Sequence, residues 1–187
     1  MAVETKTKPT SRQEILERLQ DKENLGGADF SGLDLSEIKL TGLAMPGANF
    51  SRANLHKAVI AGIDLQKADF SDANMEGALI AGANMMQANL QGANLKGAKI
   101  NGTNLQDADL SGADLSETTF VAVNVSGGNF RDAVTVDARS SAVGWKSAKV
   151  PPSQTPKALR PPLWAIGLLV GVVVGIAFVL LRKKKAA

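Results

Sequence analysis

A strict five-residue repeat runs through the middle of this chain of 187 residues. Every fifth residue from Leu25 to Phe130 is large and apolar, which gives 22 positions in phase without an insertion or a deletion. The residue two before each position is alanine in 13 of 21 cases, and the residue one before is aspartate or asparagine in 15 of 21. A period of five fits neither an α-helix, which repeats every 3.6 residues, nor a strand, which repeats every two. The repeat therefore excludes both ordinary regular structures.

A second period of twenty residues lies within the first. Six positions break the aspartate or asparagine rule, and five of them are twenty residues apart. The six positions are Lys39, Ala44, Val59, Leu79, Lys99 and Thr119, of which Ala44 lies outside the twenty-residue series. Four pentapeptides therefore make one geometric turn, and each side of the turn keeps its own residue types.

From Glu23 to Asp132 this pattern resembles the pentapeptide-repeat family. The resemblance implies an all-β solenoid, namely a right-handed quadrilateral (four-sided) β-helix. It also implies that the central apolar residue and the alanine two before it point inward, while the other three face solvent. Each coil then buries its apolar residues only against its neighbours.

The repeated aspartates and asparagines raise the question of a metal or catalytic site. Stacked by twenty, aspartate alternates with asparagine, as in Asp29, Asn49 and Asp69, which avoids the repulsion of neighbouring carboxylates. The chain has no cysteine and one histidine, His56, so a thiolate zinc site and a histidine pair are excluded. We therefore expect no catalytic residue, no metal and no cofactor, and hence no enzyme.

The chain before the repeat predicts two short segments. Residues 1–10 are polar and are expected to be disordered. Residues 11–22 predict a helix whose apolar face is formed by Ile15, Leu16 and Leu19. A helix here would cap the open end of the solenoid, and docking of a partner is the alternative.

After the repeat the motif decays. We place the end of the solenoid at residue 137 and predict a Pro-rich basic linker over 138–162. Trp145 within it either packs over the last coil or lies at a bilayer interface, and the sequence leaves both open.

Residues 163–181 carry no charge and predict a single transmembrane helix. At 1.5 Å per residue the segment spans about 28 Å, close to the hydrocarbon thickness of a bilayer. Trp164 and the basic tail 182–187 suit the two membrane interfaces, and the tail cations are Arg182, Lys183, Lys184 and Lys185. The lipid bilayer is thus a predicted partner.

Three glycines in this segment lie four residues apart: Gly167, Gly171 and Gly175. Such a stripe lets two helices approach closely, which predicts a homodimer through the membrane helix. The alternative is ordinary membrane-helix composition, in which glycine is common.

The orientation rests on two opposing observations. Met1–Gln20 has no apolar signal sequence, which favours a tail-anchored protein with a cytoplasmic repeat domain. The cations of the basic tail favour the opposite orientation, in which the tail is cytoplasmic. The plasma membrane and the thylakoid membrane both stay open, since such repeats are abundant in cyanobacteria and other bacteria.

The side of the turn that contains the rule-breaking positions predicts a contact surface. Its middle coils are flat and apolar at Val59, Ala61, Leu79 and Ala81, with Met86 just around the corner. Lys39 and Lys99 rim this patch, which suggests a protein-interaction face or a membrane contact. The alternative is that these residues only strengthen strand pairing.

Charge separates the candidate functions. Residues 23–132 carry a net charge of −6 and residues 133–187 one of +8, which excludes a uniformly basic nucleic-acid binder. The sequence predicts a membrane-anchored scaffold for an unidentified protein partner. Some members of the family inhibit DNA gyrase as acidic DNA mimics, so the resemblance leaves this as an alternative, and an enzyme or ligand-binding module is a second.

Overall fold

The computed structural model describes Pro9, Arg12–Gln20 and residues 25–159. The predicted membrane helix 163–181, its glycines and Trp164, and the basic tail lie outside the described residues, as does nearly all of the predicted disordered segment 1–10. No helix in the part of the chain that is described is long and apolar enough to cross a bilayer.

The described chain consists of one α-helix followed by a parallel solenoid, whose last coil contains a short 3-10 helix at Trp145–Ser147. Helix α1 spans Arg12–Gln20. Seven short strands then form one sheet in chain order, and all of its pairings are parallel. The strands are β1 (Lys39–Thr41), β2 (Val59–Ala61), β3 (Leu79–Ala81), β4 (Lys99–Asn101), β5 (Thr119–Val121), β6 (Arg139–Ser141) and β7 (Lys157–Ala158).

Each coil of the solenoid contains twenty residues, as the second period of the sequence predicts. The strands pair twenty residues apart, for example Val59 with Leu79. Single bridged residues repeat the same offset at three further places in each coil, as for Asp34 with Asn54. The chain therefore forms an all-parallel β-solenoid of about six turns, which confirms the predicted fold at this level.

The interior is filled by the repeat. All 22 central residues are buried, and so are the alanines two before them, which confirms the predicted inward positions. Phe30, Phe50 and Phe70 form a stack with ring centroids 5.1 and 4.9 Å apart. Burial of such side chains contributes roughly 25 cal/mol for each Å² of apolar surface removed from water.

The turns between pentapeptides share one backbone conformation. The residue two after each central position, at every fifth residue from Gly27 to Ala142, has a φ between 51° and 70°. In three of the four turns of a coil, the next residue donates its N–H to the central carbonyl, as Ala48 does to Met45 at 3.2 Å. This is the type II turn, whose third residue needs a positive φ. Glycine at such positions, for example Gly47, relieves strain that other residues there must accept.

The solenoid continues beyond the predicted boundary at residue 137. Strand β6 pairs with β5 and β7 pairs with β6, so residues 138–159 form a further coil and not an extended linker. Two of the prolines that suggested a linker, Pro152 and Pro156, are buried. Proline is tolerated here because residues 138–159 form the last coil that the structure describes, where a missing N–H leaves no described neighbouring coil unpaired.

Trp145 covers the last regular coil, which decides between the two positions left open by the sequence. Trp145 is 9% exposed, and its indole makes edge-to-face contacts with Phe120 and Phe130, each with centroids 5.3 Å apart. Its Nε1 donates to the Ser140 hydroxyl at 3.2 Å. Here the pairing offset changes from 20 to 21 residues, at Asn129 with Val150. The five-residue phase is therefore lost after this point.

The apolar face of helix α1 is buried less completely than predicted. Ile15 is 2% exposed and belongs to the hydrophobic core. Leu16 is 36% exposed, so it does not belong to a buried face.

Candidate interaction surface

The aspartates and asparagines before the central residues act as turn-forming side chains. Each of the fifteen accepts, through Oδ1, the backbone N–H two residues further on. The bond lengths run from 2.9 Å, as for Asp69 and Ser71, to 3.4 Å, as for Asn84 and Met86. This is the Asx turn, which only a short side chain with an acceptor can form. Their role in the described solenoid is therefore structural.

The asparagines also link successive coils. The Asn54 amide donates to Asp34 Oδ1 at 3.0 Å, Asn74 donates to Asn54 at 3.1 Å, and Asn94 donates to Asn74 at 3.2 Å. An ionised carboxylate only accepts hydrogen bonds, so an aspartate can begin such a ladder but cannot continue it. The alternation in the sequence thus has a second cause besides charge avoidance, and sequence analysis did not find it.

Asp109 shows how these bonds affect a carboxylate. Partial burial raises its pKa, but hydrogen bonds from Ser111, Asn129 and Gln91 outweigh burial and place the pKa below its ordinary value. Asn129 Nδ2 lies 3.1 Å from Oδ1, and Gln91 Nε2 lies 3.0 Å from Oδ2. Donors that favour the charged form stabilise the folded state only while the carboxylate is ionised.

We expect Asp109→Asn to reduce the acid sensitivity of the fold. A lowered folded-state pKa contributes stability above the unfolded pKa, near 3.9, and this contribution is lost as the pH falls through the folded value. The measurement is urea unfolding at pH 7 and at pH 3. The difference in unfolding free energy between the two should be smaller for Asp109→Asn than for the unchanged chain. The matched control is Asp114→Asn, whose carboxylate accepts the Ser116 N–H. An equal effect of both substitutions would contradict this account.

Few polar side chains enter the interior of the described coils. The buried polar residues there are Thr103 and Thr118, which occupy alanine positions. The Thr118 hydroxyl donates to the Leu95 carbonyl at 2.8 Å, and the Thr103 hydroxyl reaches the Asn101 carbonyl at 3.2 Å. Both hydroxyls are thus hydrogen-bonded to backbone carbonyls within the solenoid. Among the residues described, no group of three or more histidine, cysteine, aspartate or glutamate side chains could hold a metal ion.

The predicted contact patch lies on the sheet. Val59 pairs with Leu79, and Ala61 with Ala81, so these four side chains form a flat square. Leu79 is 37% exposed, and Met86 is half-buried in the next column of pentapeptides. Three successive residues pair in each coil here, which satisfies backbone groups that the Asx side chains satisfy elsewhere. This explains why the Asx residues are missing from this side. Protein binding at the patch stays a prediction.

The surface that carries the patch is longer than the sequence indicated. We call the outward side of strands β1 to β7 the strand face. Because the solenoid extends beyond residue 137, the strand face also includes Arg139 and Lys157, which are both exposed. Sequence analysis missed these cations because they were assigned to the linker. The signal that could have placed them is Ala138, which keeps the inward alanine position.

These observations define a rod-shaped solenoid built from pentapeptides, with a filled interior. A family model described as pentapeptide repeats matches residues 34–72, 68–107 and 100–134, with eight copies. The chain therefore belongs to the pentapeptide repeat family.

Solved structures of pentapeptide repeat proteins match this chain at low sequence identity. A trypsin-treated variant of QnrB1, a plasmid-mediated fluoroquinolone resistance protein, matches with a TM-score of 0.62 and 24% identity, over 79% of this chain and 84% of its own. A pentapeptide repeat protein from the Arabidopsis thaliana thylakoid lumen matches with a TM-score of 0.33 and 22% identity, over 68% of this chain and 84% of its own. One from Nostoc Pcc 7120 gives 0.35 and 27%, over 64% and 81%. No curated protein matches the sequence.

Proposed function

We propose that this protein is a non-enzymatic, membrane-anchored scaffold that presents a rigid β-helical surface to a protein partner at a bacterial membrane. The observation that carries the proposal is the position of the uncharged segment 163–181, which begins four residues after the last described coil at Leu159. A rod with a packed interior is held close to a bilayer by this arrangement. The cytoplasmic side of a plasma or thylakoid membrane is the proposed location of the rod.

The finer fold of the scaffold belongs to the same proposal. Four bridged columns in each coil support a four-sided cross-section, and the right-handed turn is what the family implies. Ile15 supports a capping role for α1, because it joins the hydrophobic core at the N-terminal end. A cap there removes apolar surface and unpaired strand edges from water.

Deleting Pro162–Ala187 should convert a membrane-bound protein into a soluble rod. The deletion leaves every described residue in place, so the truncated protein should still melt cooperatively by circular dichroism. The measurement is flotation with protein-free lipid vesicles, in which the full chain should float and the truncated chain should stay at the bottom. Flotation of the truncated chain to the same extent would show that the segment is not the anchor.

For the membrane segment we propose self-association through Gly167, Gly171 and Gly175. Gly171→Ile should shift the monomer–dimer balance in detergent towards monomer, because a branched side chain keeps two backbones apart. Analytical ultracentrifugation measures the balance, and Val172→Ile is the matched control. If the two substitutions leave the same balance, the glycines are ordinary membrane composition.

The alternatives are less well supported. A DNA mimic needs anionic charge around the rod, whereas one whole side of this rod, formed by strands β1 to β7, contains no aspartate or glutamate and four cations. The likeness to QnrB1 at 24% identity shows the fold alone. A ligand-binding or catalytic module needs inward polar groups, and the two buried threonines are hydrogen-bonded to the backbone. We therefore expect no inhibition of DNA gyrase in a supercoiling assay.

A further inference from the structure

The strand face differs in charge from the rest of the solenoid. Its outward residues include no aspartate or glutamate in any of the seven strands. It carries four exposed cations: Lys39, Lys99, Arg139 and Lys157. Lys157 Nζ lies 3.3 Å from Asp137 Oδ1. The other three cations form no ion pair with any residue from 25 to 159.

Acidic residues are concentrated on the other columns of pentapeptides. The column that precedes the strand face contains six carboxylates and two lysines, and the column half a coil away contains five carboxylates and two arginines. The carboxylates are Asp34, Glu37, Glu76, Asp114, Glu117 and Asp137 in the first column, and Asp29, Asp69, Asp72, Asp109 and Asp132 in the second. The rod is thus basic along one side and acidic along two others.

The last described residues of the chain pair at the strand face. Lys157 donates its N–H to the Ala138 carbonyl, and Leu159 donates its N–H to the Ser140 carbonyl, both at 2.9 Å. The last described residues therefore lie at the C-terminal edge of this face. Four residues span at most about 14 Å, so a membrane helix that begins at Leu163, as the sequence predicts, would start within that distance of the same edge.

We propose that the strand face lies on the anionic headgroups of the bilayer that anchors the protein. This inference rests on the membrane-anchored function proposed above. Lys39, Lys99 and Arg139 would contact the headgroups along five coils, or about 24 Å of the rod. Val59 and Leu79 lie between these cations and suit the boundary of the acyl chains.

Each of these contacts is weak by itself, and the anchor makes them effective. A tethered surface meets the bilayer at a high effective concentration, so a few cations suffice to orient the rod. The apolar patch then faces lipid, and the acidic sides face the solution, where a protein partner can reach them. The attraction must weaken with added salt, because exposed charges are screened.

The test uses the full chain with a single introduced cysteine, which is possible because the sequence contains none. Ala81→Cys places a fluorophore on the strand face, and Ser71→Cys places one half a coil away. Each labelled protein is inserted into vesicles of phosphatidylcholine, with or without phosphatidylglycerol, that contain a headgroup spin label as quencher. We expect severalfold stronger quenching at position 81 than at position 71 with phosphatidylglycerol. The difference should disappear in phosphatidylcholine alone and at high salt.

Charge removal provides the second arm. Combining Lys39→Gln, Lys99→Gln and Arg139→Gln in the Ala81→Cys protein should lower its quenching to the level at position 71. The combination Lys57→Gln, Lys96→Gln and Arg52→Gln is the matched control and should change nothing. Thermal melting checks that both triple variants remain folded.

The possible failures are distinct. A labelled chain that does not float with vesicles overturns the anchored scaffold, and this inference with it. A chain that floats but shows equal quenching at both positions overturns the inference alone. The inference alone is also overturned if a second copy of the chain covers the label at position 81 in detergent. It is likewise overturned if the label is covered on vesicles only after a protein partner is added.

Discussion

Phe50→Ala should lower the free energy of unfolding by about 3–5 kcal/mol, the usual cost of removing a buried aromatic side chain. Phe50 has no exposed surface and stacks on Phe30 and Phe70. Its removal would leave a cavity in the middle of the column, and the rings in the two neighbouring coils would each be left without a packing partner on one side. Denaturant unfolding of the full chain in detergent, followed by circular dichroism, measures the change.

The chain supplies its own control for this substitution. Leu90 and Leu110 occupy the same column as Phe50, so leucine is already accepted there. Phe50→Leu should therefore cost less than about 1.5 kcal/mol. Equal losses for alanine and leucine at this position would contradict the account of the stacked column.

Trp145→Ala should destabilise the C-terminal end of the solenoid by about 3 kcal/mol while leaving the middle coils nearly unchanged. Trp145 covers Phe120 and Phe130, and each coil is stabilised chiefly by its neighbours. The end should therefore open locally before the rest. Amide hydrogen exchange measures this directly, and we expect faster exchange at residues 120–150 than in the unchanged chain.

Trp145→Phe is the control for this prediction. Phenylalanine can keep the edge-to-face contacts but loses the Nε1 hydrogen bond to Ser140, which is worth about 1 kcal/mol. Faster exchange spread evenly over residues 25–159 would mean that the solenoid opens as one unit, and the end-covering role of Trp145 would then be wrong.

The fold was predictable because a large apolar residue at every fifth position specifies the interior. The coil length and the distinct strand side follow from the repeat, and the inward direction of the central residues follows from the family that the repeat resembles. The end of the solenoid was not, because Thr135 and Ser140 occupy the central positions where apolar residues were expected. The last coil is instead held by Trp145 and by strand pairing, which the repeat does not encode.

The surface was predictable only in part. The flat patch around Val59 and Leu79 followed from the rule-breaking positions. The asparagine ladders were not predicted, because the sequence pattern alone does not show that each asparagine amide donates to the side chain one coil before it. The basic row on the strand face was missed because Arg139 and Lys157 were assigned to a linker.

Alkaline carbonate extraction of membranes from cells that express the full chain tests the central claim most directly. This treatment releases proteins held by surface charge, whereas a transmembrane helix stays inserted. We predict that the full chain remains with the membrane pellet and that the chain lacking Pro162–Ala187 is released. Release of the full chain into the supernatant would contradict a membrane-anchored scaffold.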